Sequence, residues 1–354
     1  MELTTPLAKS YKNKKVFVTG HTGFKGAWLI SILHLFGAKI KGYALTAETN
    51  SLYNEINGDQ LCQSIIADIR DKETLQKTIS EFQPDYIFHL AAQPLVLDSY
   101  EDPIYSYEVN VMGTAHLLQS CRSLDKLCSV VVVTTDKVYL NLENQKAFKE
   151  EDPLGGLDPY SGSKACAEIL TNSFRHSFFQ GQSVRIASAR AGNVIGGGDY
   201  AKNRIIPDIV RALSSDKKIT IRNPKAIRPW QHVLDCLNGY LMLGARNFED
   251  ESFYTTKEQA WNFGPNIDDS MTVLDLAKLV IGIWESGAYE IQHNEKAHHE
   301  AGHLQLDNTK SNTNLGWHPK WDTNISIEKS IFWYKNRPLK DLTIPQITEF
   351  YSSK

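Results

Sequence analysis

The fold of this chain is decided by one stretch near its N-terminus: Lys15-Val16-Phe17-Val18-Thr19-Gly20-His21-Thr22-Gly23-Phe24-Lys25-Gly26. Its apolar first half predicts a strand, and the spacing of apolar residues over 27–36 predicts a helix directly after the glycines. Glycines between a strand and a helix let the backbone turn tightly and approach a pyrophosphate, while the N–H groups of the helix N-terminus face its negative charge. The arrangement predicts a dinucleotide-binding loop rather than an ordinary turn.

Strands and helices continue to alternate after this loop. Further strands are predicted at residues 39–45, 64–68, 85–90 and 129–135. A helix is predicted over 71–82, between the third and fourth strands. The fourth and fifth strands are largely apolar instead of alternating, which is typical of strands covered by helices on both faces. The sequence therefore predicts an α/β protein with a Rossmann-like, doubly wound parallel sheet.

The chain length of 354 residues suits two domains. Beyond about residue 190 the alternation weakens, and glycines cluster at 196–198. The dinucleotide-binding domain is predicted to span 10–190 and to include about 229–262. A smaller C-terminal α/β domain that binds the substrate is predicted over 191–228 and 263–345.

Composition excludes several classes of protein. Hydrophobic residues make up 42% and charged residues 22% of the chain, as in an ordinary globular protein. The formal net charge of −3 gives no basic field for nucleic acid or a membrane surface, and no stretch has the roughly 20 apolar residues that span a bilayer. The first residues lack the apolar core of a secretory signal, so we expect a cytoplasmic protein. The five cysteines lack C-x-x-C spacing, which predicts buried free thiols.

A second motif, Tyr160-Ser161-Gly162-Ser163-Lys164, places a phenol and an ammonium at positions i and i+4, on one face of a helix. A close ammonium favours the phenolate, so we expect Lys164 to lower the pKa of Tyr160 from about 10 towards the range of a general base. Alone, such a pair is usually an exposed helix pair. Downstream of the glycine loop, it predicts a catalytic base.

The glycine spacing G-x-x-G-x-x-G resembles the extended branch of the short-chain dehydrogenase/reductase superfamily. In that branch a carboxylate after strand three holds the adenine ring, small residues after strand four lie close to the cofactor, and a helix asparagine steadies the framework. The resemblance implies that the cofactor contacts are Gly20, His21, Thr22, Gly23, Phe24, Lys25, Gly26, Asp68, Ile69, Leu90, Ala91, Ala92, Asn110, Tyr160 and Lys164.

The expected cofactor is NAD. The segment Tyr43-Ala44-Leu45-Thr46-Ala47-Glu48 lacks the acid at the end of strand two that binds the NAD ribose hydroxyls in many dehydrogenases. Thr46 retains a hydrogen-bonding group there, and His21 and Lys25 would tolerate an extra phosphate. NADP therefore stays open as the alternative.

Longer strings resemble the CDP-glucose 4,6-dehydratase family over about residues 10–335. These strings are residues 21–26, 91–96, 190–199, 227–233 and 261–265. Sugar-nucleotide 4,6-dehydratases usually carry Thr-Asp-Glu after strand five, and Thr135-Asp136-Lys137 is similar to the CDP-glucose class. The resemblance implies that Thr135 works with Tyr160 at the sugar C4 oxygen. It makes Asp136 the candidate acid and Lys137 the candidate base of the elimination, against the alternative of a surface ion pair.

The resemblance further implies conversion of CDP-glucose into CDP-4-keto-6-deoxyglucose and water, within deoxysugar biosynthesis. It assigns the diphosphate to Arg228 with Asn193 and Arg204 as companions, and the sugar to Gln93. It implies a homodimer or a higher homo-oligomer and no metal, so the histidine-rich segment 293–303 is expected to be a loop of the substrate domain. Two alternatives stay open: a sugar-nucleotide 4-epimerase and a nicotinamide-binding protein without turnover.

Overall fold

The computed structural model describes residues 3–143, 146–256, 258–292, 304–337, 339 and 341–352. Its strands are β1 (Lys15–Thr19), β2 (Lys39–Ala44), β3 (Gln63–Ile66), β4 (Tyr86–His89), β5 (Cys128–Val133), β6 (Val184–Ala191), β7 (Val194–Ile195), β8 (Ile219–Ile221), β9 (Ile227–Arg228), β10 (Gln231–His232), β11 (Ala260–Phe263), β12 (Met271–Thr272) and β13 (Tyr289–Ile291). Its helices are α1 (Pro6–Tyr11), α2 (Phe24–Leu35), α3 (Leu52–Glu55), α4 (Lys72–Phe82), α5 (Val96–Glu101), α6 (Pro103–Tyr107), α7 (Gly113–Cys121), α8 (Pro159–Phe174), α9 (Ile205–Leu213), α10 (Val233–Glu249), α11 (Glu251–Thr256), α12 (Val273–Trp284), α13 (Thr323–Asn336) and α14 (Thr343–Ser352).

A seven-stranded sheet forms the centre of the described structure, with the order β3-β2-β1-β4-β5-β6-β11 and every neighbouring pair parallel. This confirms the predicted doubly wound parallel sheet. The order reverses between β1 and β4, and at such a switch point the loops leave a crevice at the carboxyl ends of the strands. The glycine loop follows β1 and residues 90–92 follow β4, so both border this crevice.

Helices cover both faces of the sheet because successive strand residues point to opposite sides. Val16 belongs to the same apolar core as Trp28 of α2. The next residue, Phe17, belongs to a second core with Leu75 of α4 and Leu117 of α7. Every residue of β4 and β5 is buried, as expected for strands covered on both faces.

The chain leaves the sheet after β6 and returns to it at β11, which pairs with β6. Between and after these strands lie small two-stranded sheets that pair β7 with β10, β9 with β12 and β8 with β13. Helix α10 packs in the core that also holds α2, so the segment around it belongs to the central layers. The exact domain boundaries predicted from the sequence stay a prediction.

Two sequence expectations concern the rest of the molecule. No described helix is long and apolar enough to cross a bilayer. The described cysteines are free thiols, and all are buried except Cys166 on α8. The prediction of buried thiols is wrong at that position, because α8 turns only one face towards the sheet and Cys166 lies on the other.

Candidate active site

The glycine loop has the shape that a pyrophosphate requires. Gly20 adopts a φ of 73°, and a Cβ there would lie 2.7 Å from the backbone nitrogen of Ala91. A Cβ on Gly26 would overlap the carbonyl oxygen of Gly20. Helix α2 begins after Gly23, which has no side chain to cap the first turn, so the turn offers its N–H groups to an anion. Glycine is thus required at positions 20 and 26, and the loop fits a dinucleotide phosphate.

Thr19 ties this loop to the turn after β4. Its Oγ1 accepts hydrogen bonds from the backbone N–H groups of Leu90 and Ala91, each at 3.1 Å. It also lies 2.7 Å from Nδ1 of His89, whose Nε2 lies 3.0 Å from Oγ1 of Thr114. Burial lowers the pKa of His89 to about 3, so the ring is neutral. The sequence did not reveal this series of hydrogen bonds, because Thr19, His89 and Thr114 look like ordinary core residues.

Asn110 steadies the framework as expected, and it does so through Gln93. Its Oδ1 accepts from the backbone nitrogen of Gln93 at 2.9 Å, and its Nδ2 donates to Oγ of Ser163 on α8 at 2.9 Å. The Gln93 side chain is itself engaged at both ends, accepting from the nitrogen of Leu95 and donating to Oγ of Ser106. Gln93 is therefore held within the framework by its side chain, and its expected contact with the sugar stays a prediction.

The part of the crevice that follows β3 centres on Asp68, the carboxylate predicted to hold the adenine ring. Its carboxylate accepts from the backbone nitrogen and from Nη2 of Arg70, both at 2.8 Å. These hydrogen bonds hold the pKa of Asp68 below its ordinary value. Arg70 also pairs with Glu108 at 2.8 Å. Ile69 packs tightly on α7, where a Cβ on Gly113 would lie 2.8 Å from it. Asp68 is thus an ionised acceptor oriented by Arg70, a partner that the motif did not reveal.

Two side chains of the glycine loop turn inwards. His21 is fully buried, its Nε2 lies 2.8 Å from Oγ of Ser64, and burial lowers its pKa to about 4. Lys25 directs its Nζ to the hydroxyl of Tyr240 on α10, at 3.3 Å. The expectation that these two side chains accommodate an extra ribose phosphate is therefore wrong, because one is a neutral core residue and the other points into the protein.

Helix α8 presents the Tyr160-Lys164 pair as predicted. Asp158 caps the helix by accepting from the nitrogen of Ser161 at 2.9 Å, and Pro159 occupies the first turn, where its missing N–H costs nothing. Tyr160 and Lys164 are both buried on the face towards the sheet. The pair is therefore part of the interior crevice and not an exposed helix pair.

The expected lowering of the Tyr160 pKa is wrong for this structure. Burial raises that pKa to about 12, and a hydrogen bond with Thr135 offsets only part of the rise. The ammonium of Lys164 donates instead to the carbonyl of Val133, at 3.1 Å. Burial, and then the charge of Lys25, lower the pKa of Lys164 to about 8. The i, i+4 spacing predicted that Tyr160 and Lys164 share a helix face. It did not predict that burial would raise the Tyr160 pKa by more than nearby groups lower it.

Asp136 is a buried carboxyl with one bare oxygen. Its Oδ1 accepts from Oγ1 of Thr135 at 2.9 Å, whereas its Oδ2 has no hydrogen-bond partner among the described residues. Oδ2 faces Gly192, where an added Cβ would collide with it. Burial raises the pKa of Asp136, although the charge of half-buried Lys137 opposes the rise. This burial excludes the interpretation of Asp136 and Lys137 as a surface ion pair.

The predicted diphosphate contacts lie on the loops beyond β6. Arg228 is buried, and its charge acts on Asp136 by lowering the pKa of that carboxyl. Arg204 forms an ion pair with Asp199, at 2.9 Å. The Nδ2 of Asn193 is buried without a hydrogen-bond partner in the described part of the chain. The charge of Arg228 thus acts on Asp136, and Asn193 keeps a donor without a partner among the described residues.

Residues 17–330 match the model of one known family, described as GDP-mannose 4,6 dehydratase. The chain belongs to the GDP-mannose 4,6 dehydratase family. A CDP-glucose 4,6-dehydratase of Salmonella typhimurium is 46% identical over 331 residues, which cover 92% of this chain and 91% of that protein.

Solved structures show the same fold as this member of the GDP-mannose 4,6 dehydratase family. An epimerase of Methanothermobacter thermautotrophicus superposes with a TM-score of 0.81 at 23% identity, covering 96% of each chain. A dTDP-glucose 4,6-dehydratase of Bacillus anthracis, solved with NAD, superposes with a TM-score of 0.75 at 22% identity. That match covers 94% of this chain and 99% of the other.

Sequence reasoning missed one more feature of this GDP-mannose 4,6 dehydratase family member, a buried ion pair next to Thr134 and one turn beyond Lys164 on α8. Glu168 of α8 lies 3.0 Å from Arg190 of β6. Burial opposes ionisation of Glu168, but the Arg190 charge and three hydrogen bonds together hold its pKa below the ordinary value. The two residues are 22 positions apart, so only the fold brings them together.

The residues that the structure describes contain no cluster of three or more histidine, cysteine, aspartate or glutamate side chains able to hold a metal ion. The histidine-rich segment 293–303, with His293, His298, His299 and His303, lies outside the described residues. Its assignment as a loop of the substrate domain stays a prediction.

Proposed function

We propose that this chain is a CDP-glucose 4,6-dehydratase that uses NAD. The main support for the proposal is that Asp136 is a buried carboxyl with a raised pKa, one of whose oxygens has no hydrogen-bond partner among the described residues. Expulsion of a hydroxyl group as water requires an acid that keeps its proton near neutral pH, and burial without a full set of partners is how proteins produce one. The identity of 46% to a protein named for this activity supports the same assignment.

The residues of the crevice fit NAD. The two constrained glycines Gly20 and Gly26 and the open N-terminus of α2 suit its pyrophosphate, and Asp68 suits its adenine. The side chains of His21 and Lys25 bind Ser64 and Tyr240, so they are not directed towards the extra phosphate of NADP. When bound, NAD supplies a hydride acceptor for the sugar C4 hydrogen, returns that hydride at C6, and adds a positive charge to the site.

The first task of the protein is to take the proton of the sugar C4 hydroxyl. Tyr160 accepts it, and Thr135, which hydrogen bonds with Tyr160, is the group we assign to the same sugar oxygen. A phenol with a pKa near 12 needs nearby positive charge to act as a base; the charge of Arg204 lowers that pKa, and we assign a further contribution to Lys164, one turn along the helix. Oxidation at C4 then leaves a ketone, which acidifies the hydrogen on C5.

The second task is the elimination of water. Lys137 takes the C5 proton, Asp136 gives its proton to the C6 hydroxyl, the C6–O bond breaks, and a C5–C6 double bond forms. Hydride addition at C6 and a proton at C5 then give the 4-keto-6-deoxy sugar. The net reaction is CDP-glucose to product plus one water.

Lys137→Ala should abolish elimination from a preformed 4-ketone, and retention of that step would remove Lys137 from this role.

The C-terminal segments supply the contacts for the nucleotide. Arg228, Arg204 and the free amide of Asn193 suit the diphosphate, since guanidinium groups and amides donate to phosphate oxygens. These residues lie in or beside the segments 191–228 and 263–345, which we assign to the substrate domain. Arg228→Lys should raise the KM for CDP-glucose more than it lowers kcat, because Lys lacks the planar fork.

The experiment that tests the function is incubation of the purified protein and NAD with CDP-, UDP-, dTDP- and GDP-glucose, followed by mass spectrometry. The proposal expects CDP-glucose to lose one water and to be the preferred substrate. An isomer of unchanged mass would indicate a 4-epimerase instead, and no conversion of any sugar would indicate a binding protein. If a glucose linked to another nucleotide were preferred, the assignment as a dehydratase would stand and the assignment of CDP-glucose as the substrate would be overturned.

We also propose that the protein acts as a homodimer. Exposed apolar side chains gather on α5, α6, α8 and the π-helical segment Glu108–Met112 that continues α6, and α5, α6 and the π-helical segment all pack against α8. They are Leu97, Tyr100, Ile104, Tyr107, Met112 and Ile169. Such a patch is typical of an interface. Sedimentation should give a dimer that Ile169→Asp dissociates. A monomeric wild type would contradict the proposal. The cytoplasmic location stays a prediction.

A further inference from the structure

The ion pair between Glu168 and Arg190 lies directly behind the catalytic groups. Tyr160, Lys164 and Glu168 recur at every fourth position of α8, so all three face the sheet. The Glu168 and Arg190 side chains are only 3% and 4% exposed. Removing two charges from water costs much of what their attraction returns, and apolar residues of similar size often stabilise a protein as well. Stability alone is therefore a weak reason for this pair.

One end of the pair holds the strand that leads into the catalytic segment. Glu168 accepts a hydrogen bond at Oε1 from the hydroxyl of Thr134, and another at Oε2 from Ser188 at 2.7 Å. Thr134 directly precedes Thr135. The carboxylate therefore fixes α8 to the carboxyl end of β5, one residue from the first catalytic side chain of that strand.

The other end of the pair holds the residues that follow the catalytic segment. Arg190 donates from Nη1 to the hydroxyl of Tyr139 at 2.8 Å and to the carbonyl of Glu150 at 3.0 Å. The Tyr139 hydroxyl in turn donates to Oδ1 of Asn262 on β11, at 2.7 Å. Tyr139 comes two residues after Lys137. The pair thus contacts the chain on both sides of the acid and the base.

We propose that Glu168 and Arg190 are positioning residues that hold both ends of segment 134–139 and so set Asp136 and Lys137 at their working distance from Tyr160 and Lys164. The inference rests on the proposed function for the reaction it serves. It adds that the elimination groups are placed by the same helix that carries the oxidation groups. A misplacement of about 1 Å in such a site can cost about 100-fold in rate.

Glu168 also acts on the charge of Lys164. The titratable and charged groups that face Lys164 are Glu168 on α8, Lys25 on α2 and His89 on β4. Glu168 raises the pKa of Lys164, and Lys25 lowers it. If the reaction needs the ammonium, activity falls as the pH rises through that pKa. Removing the Glu168 charge should therefore move the alkaline limb of the rate profile to lower pH.

The test compares Glu168→Gln with the double variant Glu168→Gln/Arg190→Met and with Asp85→Asn. The control carboxylate, Asp85, accepts from the backbone nitrogen of Lys15 at 2.8 Å and from Nζ of Lys126 at 2.6 Å, at the amino end of the sheet. For each protein, kcat and KM for CDP-glucose are measured against pH, together with thermal midpoints and hydrogen exchange of the peptide containing 134–139.

The proposal expects Glu168→Gln to lower kcat by about 10- to 100-fold with little change in KM, and to speed exchange over 134–139. The double variant removes the unpaired guanidinium, so its thermal midpoint should recover while its kcat stays low. Asp85→Asn should lower the midpoint and leave kcat unchanged. Recovery of kcat together with the midpoint, or unchanged exchange in Glu168→Gln, would overturn the proposal. If no sugar is turned over by the wild type, the proposed function fails, and the exchange measurement still decides the positioning role.

Discussion

Two carboxyl groups in the interior of this protein have opposite surroundings. Asp136 and Glu168 are both almost fully buried, at 2% and 3% exposure. Asp136 has one hydrogen bond, from Thr135, and its second oxygen has no partner among the described residues. Glu168 accepts from Thr134, Ser188 and Arg190. The pKa of the first is raised and that of the second is lowered.

This difference shows that burial alone does not decide the protonation of a carboxyl group. Desolvation opposes ionisation at both positions, and the partners decide which form is kept. Glu168 has three hydrogen-bond donors, one of them the Arg190 guanidinium, so its ionised form is favoured. Asp136 is short of donors, so its protonated form is favoured. The comparison assigns one carboxyl to chemistry and the other to position, and each assignment can be tested.

The largest effect is expected on the rate of Asp136→Asn. Loss of a general acid typically costs about 100- to 10,000-fold, and we expect kcat to fall within that range. Because the variant also removes a poorly partnered buried carboxyl, the free energy of unfolding should stay equal or rise. Steady-state kinetics test the expected fall in kcat, and denaturant unfolding tests the expected free energy of unfolding. A rate within tenfold of wild type would break the assignment of Asp136 as the acid.

The second effect is on stability. Glu168→Gln leaves Arg190 as a buried charge without its counterion, and breaking a buried pair in this way typically costs about 3–5 kcal/mol. We expect the free energy of unfolding in urea to fall by that amount, far more than for Asp136→Asn. Equal stability of the two variants would show that the two carboxyls are not distinguished by their partners.

A smaller effect is expected when one donor is removed. Ser188→Ala deletes a single hydrogen bond to the Glu168 carboxylate, and bonds to charged groups contribute about 1.5–3 kcal/mol. The loss of unfolding free energy should fall in this range and should vanish in the Glu168→Leu background, where no carboxylate accepts the bond. If Ser188→Ala lowered the free energy of unfolding by the same amount in the Glu168→Leu background, Ser188 would act on another group.

The sequence predicted the glycine loop, the parallel sheet and the helix that carries Tyr160 and Lys164, because each depends on spacing within a short stretch. It did not reveal the pairing of Glu168 on α8 with Arg190 on β6, whose partners Thr134 and Tyr139 lie at the two ends of a segment after β5. It also assigned the wrong direction to the Tyr160 pKa. Spacing shows that an ammonium is four residues away, but it shows neither the depth of burial nor that the ammonium binds a carbonyl.

The smallest expected effect is on the pH dependence of stability. Asp136 has a raised folded pKa, so stability is lost as the pH rises from the ordinary carboxyl pKa, about 4, towards the folded value. Glu168 has a lowered folded pKa, so its stabilisation is present above about 4 and is lost as the pH falls through the folded value.

Thermal midpoints relative to wild type should therefore change in different pH ranges. Asp136→Asn should gain stability against wild type as the pH rises above about 4, whereas the deficit of Glu168→Gln should be constant above about 4 and should shrink as the pH falls below it. Parallel shifts of the two variants would contradict the assigned pKa directions.

The central claim is that one crevice oxidises the sugar, eliminates water and returns the same hydrogen to a different carbon. CDP-glucose labelled with deuterium at C4 tests it most directly, with NMR and mass spectrometry of the product. The account predicts a 4-keto-6-deoxy sugar that carries the deuterium at C6. Recovery of the deuterium at C4, with the C6 hydroxyl retained, would contradict it and leave the protein with the chemistry of an epimerase.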